Sequence, residues 1–211
     1  MVPIALLVDR VEAGKSFTCL PRHAREDEWG VIRVSAMSWG SFRPEEHKAV
    51  PHGRPINPTH EIHHGDLLVS RANTVELVGA SVLVDETRPK LLLSDKSLRL
   101  IPHPEVSKHW LNYALRSPMT RRQFAADATG TSDSMRNLSQ KKILGAMVGL
   151  PPTDEQEEIV RRVSHLMRGA VAVAERIGAV DRQISSVSKA VLANAFQRGD
   201  ASTTDSNPNG T

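Results

Sequence analysis

Two clusters of residues in this chain have types that could do chemistry. His60, Glu61, His63 and His64 place three imidazoles and a carboxylate within one short stretch, and these are zinc-ligand types. The spacing is not that of a helical His-Glu-x-x-His site and no cysteine accompanies it, so a solvated loop is the simpler reading. The second cluster is basic. Residues 116–142 carry Arg116, Arg121, Arg122, Arg136, Lys141 and Lys142 against only Asp127 and Asp133, whereas residues 1–115 hold 14 basic and 14 acidic side chains. Within that segment the polar loop Thr129–Ser139 offers hydroxyls, one guanidinium and one amide. Arg and Lys suit phosphates; short hydroxyl, amide and guanidinium groups suit phosphates and base edges alike. A solvated basic surface explains such clusters equally well when they stand alone.

The elements that must position these residues read as mixed α and β. Residues 2–9 read as a buried strand or lead-in segment, and Ser16–Leu20 as a second short strand. In a strand over Gly30–Met37, Arg33 and Ser35 would share one face while Ile32, Val34 and Ala36 share the other. Pro44, Pro51, Pro55 and Pro58 make the stretch from Trp39 to Thr59 an irregular excursion. Gly65–Asn73 and Leu77–Val84 read as a hairpin that carries Ser70, Arg71 and Asn73 at its exposed end. Leu91–Ile101 is strand-like and interrupted at Ser94-Asp95-Lys96. Two short helices follow, over Ser107–Leu115 and, after Pro118, Met119–Ala126. Ile143–Leu150 reads as a last apolar strand.

Beyond Pro151-Pro152 the pattern changes to an uninterrupted helical seam. Thr153-Asp154-Glu155-Gln156 fits a capping box, with the Thr hydroxyl on the third backbone N–H and Gln156 reaching back. The seam is Ile159, Val163, Leu166, Ala170, Val173, Ile177, Val180, Ile184, Val187 and Val191, a strict alternation of four and three. A helix from Thr153 to Gln197 would run roughly 65 Å at 1.5 Å per residue, so the preceding residues cannot bury most of that seam. It calls for a second long helix.

The 211 residues leave room for one domain beside this helix, and 39% apolar content supports a real core. The one cysteine, Cys19, excludes an internal disulfide and a cysteine-based zinc cluster and fits a reducing, cytoplasmic setting. The apolar run after Met1 has no basic flank and ends at Asp9, unlike a signal peptide, and no stretch is long enough to span a bilayer. There is no glycine-rich nucleotide loop, Walker lysine, Gly-x-Ser-x-Gly or recognisable acidic-Lys nuclease set. The chain reads as a binding module rather than an enzyme.

Four segments, in order, then resemble a known family: Gly65–Asn73, the Gly130–Ser139 loop ending Asn137-Leu138-Ser139, the junction Leu150-Pro151-Pro152-Thr153-Asp154-Glu155-Gln156, and Leu192-Ala193-Asn194-Ala195-Phe196-Gln197-Arg198-Gly199. They resemble the specificity subunit of type I restriction-modification systems, with Thr153 where that family usually carries Leu. The resemblance implies a target recognition domain that reads half of a split double-stranded DNA site, and long helices that pack antiparallel as a coiled-coil spacer. This chain is similar to one half of such a subunit, which implies a second half or a homodimer. It further implies a methyltransferase subunit that binds S-adenosylmethionine and a restriction subunit that uses ATP and Mg, with none of these cofactors held by this chain.

The expectation is therefore an α+β (mixed α/β) recognition domain over residues 1–150, a coiled-coil helix over 151–198 and a disordered tail over 199–211. Arg116, Arg121, Arg122, Lys141 and Lys142 are the candidates for phosphates. Arg33, Ser35, Arg71, Asn73, Ser132, Ser134, Arg136 and Asn137 are the candidates for bases. The rival reading is a coiled-coil adaptor whose globular part binds another protein; a third is a metalloenzyme using the histidine cluster.

Overall fold

The computed structural model describes residues 1–132 and 135–200, with side chains throughout except at 131, 132 and 190–200. Ser134 lies outside the described residues, as do the side chains of Ser132 and Val191. The chain divides into two compact units, Met1–Val160 and Arg161–Thr211.

The first unit opens with β1 (Val2–Pro3), a 3-10 turn at Ile4–Leu6, β2 (Val8–Ala13) and β3 (Gly30–Ile32). A second 3-10 turn at Val34–Met37 precedes β4 (His47–Ala49), and a third spans Pro58–His60. Then come β5 (Leu67–Ser70), β6 (Ala72–Asn73), β7 (Ser81–Leu83), β8 (Leu91–Leu92) and β9 (Ser97–Pro102). The helices α1 (Lys108–Arg116) and α2 (Pro118–Asp127) lead to β10 (Thr129–Ser132), β11 (Met135–Asn137), α3 (Gln140–Gly145) and β12 (Met147–Val148). The long helix α4 runs from Thr153 to Asp200, so the expected tail is helical at 199–200 and its remainder lies outside the described residues.

The core is an antiparallel sheet in the order β2-β9-β5-β7. Its central strand β5 is buried at all four positions, because both faces are covered. Leu67 and Val69 join Leu98, Leu100, Leu111, Leu115 and Phe124 under the helices, while Leu68 joins Val82, Ile32, Met37, Phe42, Ile62 and Leu93 on the other side. That two-sided burial is why this stretch reads as a continuous apolar run instead of an alternating one. The hairpin expected from Gly65–Asn73 and Leu77–Val84 is the shorter β5–β7 pair, with Leu67 opposite Leu83; residues 77–79 are turn, and Ser70, expected at the exposed end, is fully buried. The expected break at Ser94-Asp95-Lys96 separates β8 from β9, and Pro118 starts α2 as its first residue, capped by Ser117.

Five local expectations are corrected. Ser16–Leu20 is not a strand; its link to the β3–β4 sheet is the Leu20 N–H on the Ala49 carbonyl. The Gly30–Met37 strand stops at Ile32 and turns into 3-10 geometry, with the Ser38 N–H on the Ser35 carbonyl, so Arg33 and Ser35 do not alternate along a strand. The polar loop Thr129–Ser139 contains an irregular hairpin, β10–β11. Ile143–Leu150 is not one strand: Ser139 caps α3 through the Lys142 N–H, and only β12 pairs, with β1.

The last correction concerns Gln156. The Pro152 carbonyl accepts from the Gln156 N–H, so the helix is capped one residue earlier than a Thr153 box requires. Gln156, 2% exposed, instead uses its side chain to hold α4 to the domain: Oε1 accepts from the Ser107 N–H at 3.0 Å and Nε2 donates to the Pro151 carbonyl at 3.1 Å. Ile159 and Val160 pack on the same core, so the first two turns of α4 belong to the compact unit, and Ile159 is half-buried against the domain core. Gln156→Ala leaves the half-buried Ser107 N–H and Pro151 carbonyl without this partner, and losing the two bonds is expected to lower domain stability by about 1–3 kcal/mol. A urea midpoint unchanged from wild type would show that these bonds contribute nothing.

Candidate nucleic-acid interface

Directly after β5 the chain bends at Arg71 and enters β6, which pairs with β11 as part of the small sheet β10-β11-β6. This pairing sets Asn73 opposite Arg136 and Ala72 opposite Asn137. Directly opposite residues of an antiparallel pair project to the same face, so Asn73 and Arg136 are neighbours there. Arg71 continues the junction: its carbonyl accepts from the Leu138 N–H at 2.8 Å and its own N–H donates to the Lys96 carbonyl at 2.9 Å. Two segments some sixty residues apart in sequence are thus fused into one surface bearing Arg71, Asn73, Arg136 and Asn137.

These four are not equally available. Asn73 is committed at both ends of its amide, with Nδ2 donating to Ser38 Oγ at 3.1 Å and Oδ1 accepting from the Thr74 N–H at 2.9 Å. Arg136 donates through Nη1 to the Gly130 carbonyl at 2.8 Å, which fixes the hairpin. The Asn137 side chain is exposed, and the half-buried Arg71 side chain forms no ion pair among the described residues. Arg71 and Asn137 therefore have the donors left for a ligand.

The remaining candidates separate in the same way. Arg33 and Ser35 both turn to Glu46, the hydroxyl at 2.6 Å and the guanidinium at 3.8 Å. Arg121 donates to the Glu76 carbonyl at 2.7 Å and lies 5.9 Å from the Phe124 ring centre; burial pushes its pKa below the usual arginine range. It is a structural residue. Lys142 pairs with Asp127 at 2.6 Å, whereas Arg122 and Lys141 are exposed on α2 and α3. Arg116 donates to the Gly40 carbonyl at 3.2 Å.

That last bond exposes something the sequence reading passed over. Ser38 is held by Asn73 and Gly40 by Arg116, so the residue between them, Trp39, is fixed beside the β6–β11 sheet. Trp39 is 60% exposed, and the Arg43 guanidinium lies 4.4 Å from its ring centre. An exposed tryptophan under an arginine is a flat, cationic surface of the kind that meets bases and phosphates. Its only sequence signal is a large aromatic flanked by Ser and Gly in a stretch with no apolar periodicity.

The histidine cluster is used otherwise. Glu61 Oε1 accepts from the Lys90 N–H at 2.6 Å, His64 Nδ1 lies 2.6 Å from the Asp85 carbonyl, and the Thr59 and Glu61 carbonyls accept from the buried Arg99. Among the described residues no three His, Cys, Asp or Glu side chains gather as a metal site.

Comparison with known proteins bears on what this surface is for. No protein-family model matches the chain. Over 167 residues, 78% of its length, it is 32% identical to the EcoEI type I restriction enzyme specificity subunit of Escherichia coli. Over most of its length the chain is similar to type I specificity subunits. It is also 26% identical over 169 residues to the EcoKI specificity subunit of Escherichia coli strain K12. The chain spans 28% and 36% of the lengths of these two relatives. Among solved structures, a chain from a type I restriction-modification system aligns over 92% of this one and 45% of its own length, with a TM-score of 0.60 at 18% identity. The HsdS subunit of Thermoanaerobacter tengcongensis aligns over 81% and 38%, at a TM-score of 0.54 and 16% identity. These structures share the fold, a mixed α+β domain followed by a long helix.

Proposed function

We propose that this chain is a DNA-reading half of a type I specificity subunit. Its domain binds double-stranded DNA in one half of a split target, and its long helix sets the distance to a second half. The observation that carries this is the β6–β11 pairing, which joins two of the four family-like segments into one polar surface that leaves Arg71 and Asn137 free. The second half is a second copy of this chain or another half-subunit, docked on the exposed apolar seam of α4. Methyl transfer from S-adenosylmethionine and ATP- and Mg-dependent restriction belong to partner subunits; this chain contributes recognition and carries no catalytic residue. Among the described residues no helix is long and apolar enough to cross a membrane, and a DNA-modifying complex works in the cytoplasm. A coiled-coil adaptor would use the same seam, but sequence kinship with specificity subunits favours DNA as the ligand of the domain.

The test is selection from randomised duplexes by the full chain, alone and with the methyltransferase subunit of its own system. A split consensus is expected. Arg71→Ala should then weaken binding to the selected site by roughly 1–3 kcal/mol, about tenfold to a hundredfold, while changing affinity for random duplex far less. Recovery of no preferred sequence in either setting would overturn the reading.

A further inference from the structure

We propose that Lys15, Lys48 and Lys96 form a phosphate-binding cleft that takes the sugar-phosphate backbone of duplex DNA beside the β6–β11 surface. This rests on the DNA-reading role above and adds the path of the backbone. A cleft of about 460 Å³ opens where β2, β4 and the β8–β9 turn meet. Each lysine reaches it from a different element. Lys15 follows β2 and bridges in parallel to Ser94, Lys48 lies in β4 opposite Val31, and Lys96 sits in the turn before β9.

The walls of the cleft are built tightly. A Cβ on Gly14 would lie 2.2 Å from the Leu93 carbonyl oxygen and 2.5 Å from that of Ser94, so any larger residue would push the Lys15 strand end away. Ser97 Oγ accepts from the Ser94 N–H and donates to its carbonyl, both at 2.9 Å, which closes the turn that presents Lys96. The Lys96 carbonyl in turn accepts from the Arg71 N–H, so the cleft adjoins the residue best placed to meet a base.

Its lining is cationic in excess, with Lys15, Arg33, Lys48 and Lys96 against the single carboxylate of Asp95. Residues 1–115 are neutral by count, but four of their carboxylates face arginines instead of these lysines: Glu28 on Arg22 and Arg25, Glu12 and Asp66 on Arg99, and Glu46 on Arg33. Among the described residues none of the three lysine ammonium groups pairs with a carboxylate, and Asp95 is the one acidic side chain that lines the cleft without a partner of its own. A polyanion with closely spaced phosphates is the ligand such a gap in neutralisation fits. Local counting along the sequence hides it.

The experiment compares the full wild-type chain with Lys15→Gln/Lys48→Gln/Lys96→Gln, using a labelled random-sequence duplex over a series of salt concentrations. Each phosphate contact contributes about 0.9 to the slope of log affinity against log salt. The triple variant should therefore lose about 2.7 from that slope and bind at least about tenfold more weakly at low salt, with its preference for selected over random sequence kept. Among the described residues the three ammonium groups have no hydrogen bond or ion pair, so the urea midpoint should not move. Wild-type binding with an unchanged slope in the variant would overturn the cleft alone. Failure of the wild-type chain to hold any duplex, both alone and with the methyltransferase subunit of its own system, would overturn the cleft and the DNA-reading role together.

Discussion

Gly79→Ala is expected to destabilise the domain by roughly 3 kcal/mol, a large share of the roughly 5–15 kcal/mol that holds a typical domain folded. Two costs add. Gly79 has φ +76°, a left-handed conformation that costs a residue with a Cβ about 1–2 kcal/mol. The new Cβ would also lie 2.4 Å from Phe124 Cδ2, 2.9 Å from Cγ and 3.1 Å from Arg121 Nη1. Phe124 is 1% exposed in the main core and has no free space to yield, so overpacking adds about 1–3 kcal/mol. The two parts can be separated. Gly79→Asn tolerates the left-handed backbone better but keeps the Cβ, and should still be strongly destabilised. Adding Phe124→Leu to Gly79→Ala makes room, and the double variant should be more stable than the sum of the singles predicts. Urea midpoints read all three, and strict additivity would refute the clash.

The position of Gly79 also shows where sequence patterning stops being informative. Its turn is visible in the sequence only as Gly-Ala between two apolar runs; nothing there announces that Phe124, from a helix some forty-five residues later, lies on it. The same division holds through the fold. Stretches whose pattern is dictated by burial on contiguous faces were legible: the β5–β7 hairpin, the break before β9, α1, α2 and the long helix. Segments fixed by single long-range bonds were not. Ser139 looks like one more polar loop residue until it caps α3, and Gln156 looks like half of a capping box until its amide is found on Ser107. Arg33 and Ser35 were placed on a strand face because their alternation fits one, whereas Glu46 draws both out of it. In the candidate interface, charge counting along the chain found the basic segment whose polar loop carries Arg136 and Asn137, but could not sort paired cations from free ones. Arg121 and Lys142 drop out because carbonyl and carboxylate partners hold them. Trp39, Lys15, Lys48 and Lys96 come in because the fold gathers them from segments that are locally unremarkable.

Replacing Ile177 and Ile184 together by Asp should abolish self-association of the chain while leaving the domain's stability unchanged. Seam residues from Leu166 onward are far more open to solvent than core residues of the same types: Leu166 70%, Val173 56%, Ile177 65%, Val180 54%, Ile184 58% and Val187 63% exposed. Apolar side chains repeating every seven residues in this way call for a facing helix. In heptad terms Ile177 and Ile184 share one core position, while Leu166, Val173, Val180 and Val187 share the other. Isoleucine at the first with valine at the second disfavours a parallel two-stranded coil, which wants leucine at the second position. An antiparallel pair escapes that constraint, and it is the arrangement the type I specificity family implies. Two buried aspartates per chain, each an uncompensated charge costing several kcal/mol, would weaken the pair by well over about a thousandfold. Solution mass reads the effect: a wild-type dimer should become a monomer. Orientation follows from cysteine pairs in a Cys19→Ser background. In a parallel pair, chains carrying Leu166→Cys and chains carrying Val187→Cys would each crosslink to their own kind. In an antiparallel pair only a position at the centre of symmetry can do so, and at most one of these should. Crosslinking at both would overturn the antiparallel spacer, and a wild-type monomer would leave the seam for a different half-subunit.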